Sequence, residues 1–264
     1  MINLKTKKEI ETMKANGRIL ANTLKLLKER IKPGIKTKEL DLLAEEFIRK
    51  QGAYPAFKGY RGFPASICVS IDNEVVHGIP GEKRVEVGQI VSVDIGVFKD
   101  NYYADGAFTF AVGEVSDQAK RLIQVTQKAL KRGLEFVREG RFLSDVSYAV
   151  QSFVEGSGFS VVRDLVGHGI GMNLHEEPQI PNFGPPGQGP ILKRGMVLAI
   201  EPMVNAGSFE IQTKDDNWTI VTKDGSLSAH FEHTVAVTEN QAMILTDGDP
   251  CGRADAPVWE SEKV

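Results

Sequence analysis

The stretch Ile90-Val91-Ser92-Val93-Asp94-Ile95-Gly96 decides the fold, because it places a carboxylate inside an apolar run typical of a buried β-strand. Burying a carboxylate costs free energy unless a partner compensates for its lost hydration. The chain repeats this pattern, with ionisable residues in apolar or glycine-rich runs that hold no Arg or Lys, at Asp105, His168, Glu201 and Glu232. The sequence therefore predicts strands that converge on a shared polar site.

The chemistry of these five residues favours a pair of divalent metal ions. Four converging carboxylates would repel one another too strongly to stay ionised without a cation. Carboxylates with one imidazole suit Mn, Fe, Co or Zn, and two such ions bridged by carboxylates make a hydrolase site. The alternatives are a buried salt bridge for each acid and a core position for His168. The glycines around His168 lack the spacing of a nucleotide-binding loop.

Two of the acids are predicted to meet across a hairpin. Asp94 and Asp105 flank the segment Lys99-Asp100-Asn101, which has the composition of a turn. A hairpin with this turn would place both carboxylates on adjacent strands. The alternative is a pair of ordinary turn or edge carboxylates. A position between Val93 and Ile95 argues against that alternative for Asp94.

Two further histidines are candidate catalytic residues. His77 lies in Val75-Val76-His77-Gly78-Ile79-Pro80, and His175 lies in Leu174-His175-Glu176-Glu177-Pro178. An imidazole beside a dinuclear site can donate a hydrogen bond to an oxyanion or serve a leaving amine. The alternative for each is a surface or structural histidine.

Composition indicates an ordinary globular protein of 264 residues, with 41% hydrophobic and 25% charged residues. A net charge of -3 gives no electrostatic case for binding nucleic acid. No apolar run is long enough to span a bilayer, and no apolar stretch follows the basic N-terminus as in a signal peptide. Two cysteines make no disulfide framework. We therefore expect a reduced, cytoplasmic protein without a membrane partner.

Hydrophobic periodicity predicts both helices and strands. Helices are expected from Thr6 to about Ile31, from Thr37 to Gly52, from Ser116 to about Arg138 and from Ser144 to about Gly158. Strand-like runs occupy 66–71, 89–98, 102–112, 159–166, 196–204, 208–212, 218–223 and 230–238. The Pro- and Gly-rich stretch 178–190 predicts an ordered loop. The predicted fold class is α/β of the α+β type.

A weak internal repeat relates the two parts of the chain. Helix positions from Gly34 to Gly52 match those from Gly140 to Gly158 at a constant shift of 106 residues. With a shift of 107, the run that ends at Asp94 matches the run that ends at Glu201. We expect one catalytic domain over 1–247, with halves of about 1–115 and 116–247 that both contribute ligands. The polar residues 248–264 predict a poorly ordered tail.

Seven motifs in order resemble those of bacterial type I methionine aminopeptidases over roughly residues 3–246. They are Val75-Val76-His77-Gly78-Ile79-Pro80, Ser92-Val93-Asp94-Ile95-Gly96, Asp105-Gly106-Ala107, Gly167-His168-Gly169-Ile170-Gly171, His175-Glu176-Glu177-Pro178, Ile200-Glu201-Pro202 and Phe231-Glu232-His233-Thr234. The resemblance implies a pita-bread fold, in which two halves related by a pseudo-twofold surround a central antiparallel sheet covered by helices. It also implies removal of the initiator methionine from nascent proteins and peptides, with a preference for a small second residue.

The resemblance also implies how two divalent ions (Co, Mn, Fe or Zn) are held. Asp94 would chelate one ion with both oxygens, and His168 and Glu201 would bind the other. Asp105 and Glu232 would bridge the pair. A bridging water would then attack the carbonyl of the first residue.

In the same family pattern, the other site residues act on the substrate. Glu201 would relay the proton of the attacking water, His175 would stabilise the oxyanion, and His77 would interact with the scissile amide nitrogen. The methionine pocket maps onto apolar or nearly apolar residues, namely Phe57, Tyr60, Phe63, Cys68, Leu174 and Trp218. In common bacterial members, position 57 is often Cys, position 63 Tyr and position 174 Phe. The alternative for these residues is ordinary core packing.

The resemblance implies partners as well as chemistry. Nascent chains are the expected substrates, which implies transient work near the ribosome, and family precedent favours a monomer. The nearest enzymatic alternative is a prolidase-like peptidase, since prolidases and X-Pro aminopeptidases share the ligand pattern. A catalytically dead binding protein of the same fold is the alternative from another class, and the complete ligand set argues against it.

Overall fold

The computed structural model describes residues 2–248. Its helices are α1 (Lys7–Arg30), α2 (Thr37–Lys50), α3 (Asp117–Leu134) and α4 (Leu143–Gly156). Its strands are β1 (Tyr54–Pro55), β2 (Cys68–Ile71), β3 (Glu74–Val76), β4 (Ile90–Lys99), β5 (Tyr102–Ala111), β6 (Ser160–Val161), β7 (Val166–Gly169), β8 (Glu176–Pro181), β9 (Val197–Ile200), β10 (Met203–Asn205), β11 (Ile211–Thr213), β12 (Ile220–Thr222), β13 (Ser228–His230), β14 (His233–Val237) and β15 (Ala242–Ile244). The predicted α+β class is confirmed. Beyond Gly248, the tail expected at 248–264 lies outside the described residues.

The strands form antiparallel sheets, and the β4–β5 hairpin is the longest pairing among them. Its turn is made by Asp100 and Asn101, whose φ values of 50° and 67° suit a two-residue hairpin loop. The register pairs Gly96 with Asp105 and places Asp94 two residues further along β4. Because side chains alternate along a strand, Asp94 and Asp105 project from the same face. The predicted hairpin and its acidic face are confirmed.

A five-stranded sheet in the order β15-β14-β9-β7-β8 supplies the other expected ligands. His168 lies within β7, Glu201 directly follows β9, and Glu232 directly precedes β14. The backbone N–H of Glu232 donates to the carbonyl of Ala107 at 2.9 Å. This bond joins the five-stranded sheet to β5, so the two groups of ligands meet at the seam between sheets.

Three of the predicted strands are not continuous in the structure. The run 196–204 divides into β9 and β10 at Glu201-Pro202, and the run 230–238 divides into β13 and β14 at Phe231-Glu232. Pro202 has no N–H to continue the hydrogen-bond ladder. Glu201 and Glu232 lie at these breaks, outside the regular alternation of side chains along a strand. The run 159–166 likewise contains only β6 and the first residue of β7.

Other boundaries also differ from the sequence expectation. The predicted loop 178–190 begins as β8, an edge strand, which is where Pro178 and Pro181 are tolerated. β2 begins at Cys68 rather than residue 66, because the N–H groups of Ser66 and Ile67 donate to the Asp41 carboxylate. The run 208–212 is displaced to β11, over 211–213.

Helices α3 and α4 also begin or end elsewhere than predicted. Helix α3 ends at Leu134, four residues before the predicted end. Helix α4 begins at Leu143, and the N–H of Phe142 is bonded by Asp145. The expected cap, Ser144, lies inside the first turn and accepts from Gln188 N–H instead.

Corresponding elements recur at the spacing that the sequence indicates. Helices α2 and α4 each span 14 residues, and α4 begins 106 residues after α2. Each is followed by a left-handed glycine, with φ of 67° at Gly52 and 79° at Gly158. Residues from α1, α2, β4 and β14 share one buried core, so the two parts of the chain pack as a unit. Within residues 2–248, no helix combines the length and apolar character that a bilayer crossing requires.

Candidate metal centre

One pocket of about 160 Å³ brings together every site residue expected from the sequence. Its lining contains the five expected ligands, both catalytic histidines and the apolar set, which are Phe57, Tyr60, Phe63, Cys68, His77, Asp94, Asp105, His168, Leu174, His175, Glu201, Trp218 and Glu232. These residues come from both parts of the chain, so no single element forms the pocket. Their individual roles stay predictions.

The histidine of the ligand set is oriented by its own backbone. His168 Nδ1 lies 2.9 Å from the Gly169 carbonyl, which can only accept, so Nδ1 carries the proton. Nε2 is then unprotonated, and its lone pair is available to a metal ion. It lies 3.6 Å from Glu201 Oε1 and 3.9 Å from Asp105 Oδ2. A hydrogen bond to the other ring nitrogen is what fixes the tautomer and orientation of metal-binding histidines.

The carboxylates lie where their charge is costly, with Asp105 and Glu232 buried and Asp94 and Glu201 half-buried. Burial raises the pKa of Asp94 to about 7. Burial and the repulsion of neighbouring acids raise the pKa values of Asp105, Glu201 and Glu232 well above their usual range. Groups in this state bind protons unless a stronger positive charge takes their place. A divalent cation supplies such a charge.

Several atoms of the site lack any hydrogen-bond partner. Among the buried side-chain atoms of the described residues, those without a partner include Asp94 Oδ1, Glu232 Oε1 and His230 Nε2. One ligand atom from each of Asp105, His168 and Glu232 lies within 4.8 Å of the others. Buried polar atoms are normally bonded. The donor set of hard oxygens and one imidazole therefore fits divalent metal ions.

The two catalytic candidates stand at the edge of this cluster. His175 is exposed, and its Nδ1 lies 2.8 Å from the Tyr60 hydroxyl. The ring centroid of His175 is 4.2 Å from that of His168. His77 adopts a left-handed φ of 58°, a strained conformation of the kind that functional sites retain. Although His175 keeps an exposed edge, partial desolvation of its ring lowers its pKa to about 4, and desolvation also lowers the pKa of His77, so both imidazoles are neutral at pH 7.

An apolar wall closes the pocket on one side. Phe57, Phe63, Cys68 and Leu174 are buried and belong to one packed cluster. The Trp218 ring meets the Phe63 ring edge-on at 5.1 Å. Burial, together with nearby carboxylates, raises the pKa of the Cys68 thiol well above its usual value. A thiol in that state is a wall rather than a nucleophile.

Two residues at the site escaped the sequence reasoning. His230 is buried, with Nε2 3.8 Å from Glu201 Oε2. Its signal in the sequence was its place two residues before Glu232, although the strand breaks between them at Phe231. Arg61 lines the mouth of the pocket, with its guanidinium 5.5 Å from the Tyr60 ring. An exposed arginine in a turn gives no sequence signal of its own.

A family comparison agrees with this geometry. The sequence profile described as "Metallopeptidase family M24" matches residues 11–239. The chain belongs to this family. Metallopeptidases use divalent metal, which accords with the unpartnered ligand atoms in the pocket.

Individual relatives are similar over nearly the whole chain. A protein of Bacillus subtilis named methionine aminopeptidase 1 is 56% identical over 93% of this chain and 99% of its own length. The crystal structure of methionine aminopeptidase from Rickettsia prowazekii has a TM-score of 0.92 at 45% identity, covering 93% of this chain and all of that one. The crystal structure of the Thermotoga maritima methionine aminopeptidase has a TM-score of 0.92 at 47% identity, covering 93% of this chain and 99% of that one. The resemblance and the pita-bread fold predicted from the sequence are confirmed.

Proposed function

We propose that this chain is a methionine aminopeptidase that removes N-terminal methionine by using two divalent metal ions. The observation that carries the proposal is the convergence of four carboxylates, two buried and two half-buried, with His168 beside an apolar pocket. The similarity to enzymes of that name, at 56% identity over 93% of the chain, supports the same activity. The physiological ion is Co, Mn, Fe or Zn, all of which accept this donor set.

Five residues would hold the ions. Asp94 would bind one ion, His168 and Glu201 would bind the other, and Asp105 and Glu232 would be shared. When bound, the ions would acidify the attacking water, polarise the scissile carbonyl and bind the free α-amine of the substrate. The unpartnered Oδ1 of Asp94 and Oε1 of Glu232 support this assignment.

The side chains around the ligands would move the protons and stabilise charge. The Glu201 carboxylate would take the proton of the attacking water. His175, neutral at pH 7, would donate from Nε2 to the developing oxyanion, because Nδ1 faces the Tyr60 hydroxyl. His77 would contact the scissile amide nitrogen. These roles need neutral imidazoles, which burial favours.

The apolar wall would select the first residue of the substrate. A thioether side chain fits a soft slot formed by aromatic rings and the Cys68 thiol. Phe57, Tyr60, Phe63, Leu174 and Trp218 provide the remaining surface. A small second residue would be preferred, as the family resemblance implies.

Initial rates on two substrate classes test the proposal. The metal-stripped protein is reloaded with Mn²⁺, Co²⁺, Fe²⁺ or Zn²⁺ and assayed on Met-Ala-Ser and on Xaa-Pro peptides. We expect cleavage of Met-Ala-Ser that depends on the added ion, and little cleavage of Xaa-Pro. Preferential Xaa-Pro cleavage would favour the prolidase-like alternative, and no cleavage of either would favour a binding protein.

The setting of the reaction is also proposed. We infer one catalytic domain over 1–247 that acts as a cytoplasmic monomer on nascent chains, in transient contact with the ribosome. The core shared by α1, α2, β4 and β14 supports a single domain. Sedimentation of the purified protein and of ribosome mixtures tests the last two points.

A further inference from the structure

A buried ion pair outside the proposed catalytic set joins the N-terminal segment to the loop that carries His175. Lys5 Nζ lies 2.6 Å from Glu176 Oε2, and the two side chains are 5% and 7% exposed. The surface pair of Lys50 and Glu46 is, by contrast, 68% and 61% exposed. A desolvated pair holds its members in one geometry far more firmly than a surface pair does.

Each member of this pair is also held by further hydrogen bonds. Lys5 Nζ donates to the Asn3 carbonyl at 3.1 Å, and the Lys5 N–H donates to the Gly195 carbonyl at 2.7 Å. Glu176 Oε1 accepts from the Asn173 N–H at 3.1 Å. Removal of either charge would therefore leave the other buried and unpaired.

The backbone packs directly against the ion pair. A Cβ atom placed on Gly171 would lie 2.4 Å from Lys5 Cε and 2.7 Å from Glu176 Oε1. A Cβ atom on Gly169 would lie 2.1 Å from the Glu177 carbonyl oxygen. The loop over 171–176 consequently has no space to shift without moving the pair.

His175 depends on its neighbours for its position. His175 is exposed, and its hydrogen-bond partner, the Tyr60 hydroxyl, belongs to a side chain at the edge of the pocket. On one side, Leu174 is fixed by burial at 2% exposure. On the other side, Glu176 begins β8, where it pairs with Gly169, and its side chain is held by Lys5. The ion pair thus anchors one of the two backbone attachments of His175.

We propose that Lys5 and Glu176 are positioning residues that set the place of the His175 imidazole for the transition state. The proposal rests on the proposed function, which assigns His175 to the oxyanion. A group that acts only in the transition state affects kcat when it is misplaced, whereas ground-state binding is left largely unchanged. Leu174, held by its own burial, should keep the methionine slot intact.

Two variants test the pair separately. Glu176→Gln removes the charge at constant shape, and Lys5→Met removes the ammonium at similar length. We expect kcat on Met-Ala-Ser to fall roughly tenfold to a hundredfold in each, with KM changed less than about threefold. Calorimetric affinity for Mn²⁺ should match that of the parent protein. An unchanged kcat, or a loss confined to KM or to Mn²⁺ affinity, would overturn the proposal.

A matched control separates positioning from loss of stability. Val154→Ala opens a cavity in the separate cluster that packs α4, where Val154 is 0% exposed. All variants are assayed at one temperature, well below the lowest Tm among them. The control should retain parental kcat, and an equal loss in the control would overturn the proposal. Lys5→Gln, which keeps a donor toward Glu176, replaces any variant that does not fold.

A double-mutant cycle with His175→Ala gives the decisive result. If the pair acts through His175, Glu176→Gln costs little further kcat once the imidazole is gone. A full additional loss in that background would overturn the positioning role while the proposed function stands. Parental activity of His175→Ala alone would instead contradict the oxyanion role in the proposed function.

Discussion

The hydroxyl of Thr234 is bonded to both backbone polar groups of Asp105, a residue 129 positions earlier in the chain. Its Oγ1 accepts from the Asp105 N–H at 2.9 Å and donates to the Asp105 carbonyl at 2.7 Å. β5 belongs to the hairpin sheet and β14 to the five-stranded sheet. Together with the bond from the Glu232 N–H to the Ala107 carbonyl, this side chain joins the two sheets that supply the candidate metal ligands.

Thr234→Val should lose both stability and activity. The change leaves a buried N–H and a buried carbonyl without partners, which costs about 1–3 kcal/mol for each unsatisfied group. Asp105 would also shift relative to Glu232, so kcat should fall. Thr234→Ser, which keeps the hydroxyl, is the control. Equal Tm and kcat in Thr234→Val and the parent protein would contradict this account of the seam.

Tyr60→Phe should lower kcat more than it changes KM. The variant removes the hydroxyl that faces His175 Nδ1 at 2.8 Å but keeps the ring that stacks on the imidazole. Without that bond, the tautomer that presents a proton on Nε2 is less favoured. We expect roughly a tenfold loss of kcat, a fraction of the cost of removing an oxyanion donor outright. Steady-state kinetics on Met-Ala-Ser check this, and a change confined to KM would argue against it.

Asp94→Asn should abolish turnover while it stabilises the metal-free protein. The residue is half-buried in β4, and its raised pKa reports the cost of its charge there. The neutral isostere removes that cost and also removes a metal ligand. Each kcal/mol gained should raise Tm by about 2–4 °C in a chain of this size. Calorimetry with and without Mn²⁺ measures both effects, and near-normal activity in Asp94→Asn or in Glu232→Ala would contradict the metal assignment.

Metal removal should make stability depend on pH. The folded pKa of Asp94, about 7, lies above the ordinary aspartate value of 3.8, so the metal-free folded state binds more protons than the unfolded state between these values. The stability of the metal-free protein should therefore fall as pH rises from about 4 to 7, and the other raised carboxylates act in the same direction. Melting curves of chelated and Mn²⁺-loaded protein at pH 5 and pH 8 test this. Between pH 5 and pH 8, the Tm of the chelated protein should fall far more than that of the Mn²⁺-loaded protein.

Phe63→Ala should weaken substrate binding rather than chemistry. Phe63 is 4% exposed and supports Trp218 across the pocket. Loss of its apolar surface removes about 1.5–3 kcal/mol of burial, so KM for Met-Ala-Ser should rise roughly tenfold or more with a smaller change in kcat. Phe209→Ala, an exposed phenylalanine outside the pocket, is the matched control. Equal KM values in the two variants would indicate that Phe63 serves only core packing and does not bind substrate.

The hairpin shows why part of the site could be predicted from sequence. Asp94 and Asp105 are close in the chain, and Asp100-Asn101 supplies the left-handed turn that pairs their strands. The cost of a buried charge makes an acid inside Val93-Asp94-Ile95 informative by itself. Local signals of this kind need no knowledge of the rest of the fold.

The breaks at Glu201 and Phe231 show why other parts could not be predicted. Both runs have the composition of one continuous strand, and the break depends on packing between sheets. The same holds for β8, whose Pro and Gly content predicts a loop until an edge position beside β7 accepts it. His230 and Arg61 reach the pocket only through these long-range arrangements.

The sequence by itself determined which residues carry ionisable groups into apolar strands, and thereby the family, the candidate ligand set and the candidate catalytic histidines. The tertiary structure decided how these groups meet, through the seam made by Thr234 and Asp105 and the ion pair of Lys5 with Glu176. The reason is physical. The cost of burying a charge can be inferred from a short run of residues, because it depends on the apolar neighbours in that run. The contacts that offset this cost join segments more than a hundred residues apart, so they depend on the tertiary structure.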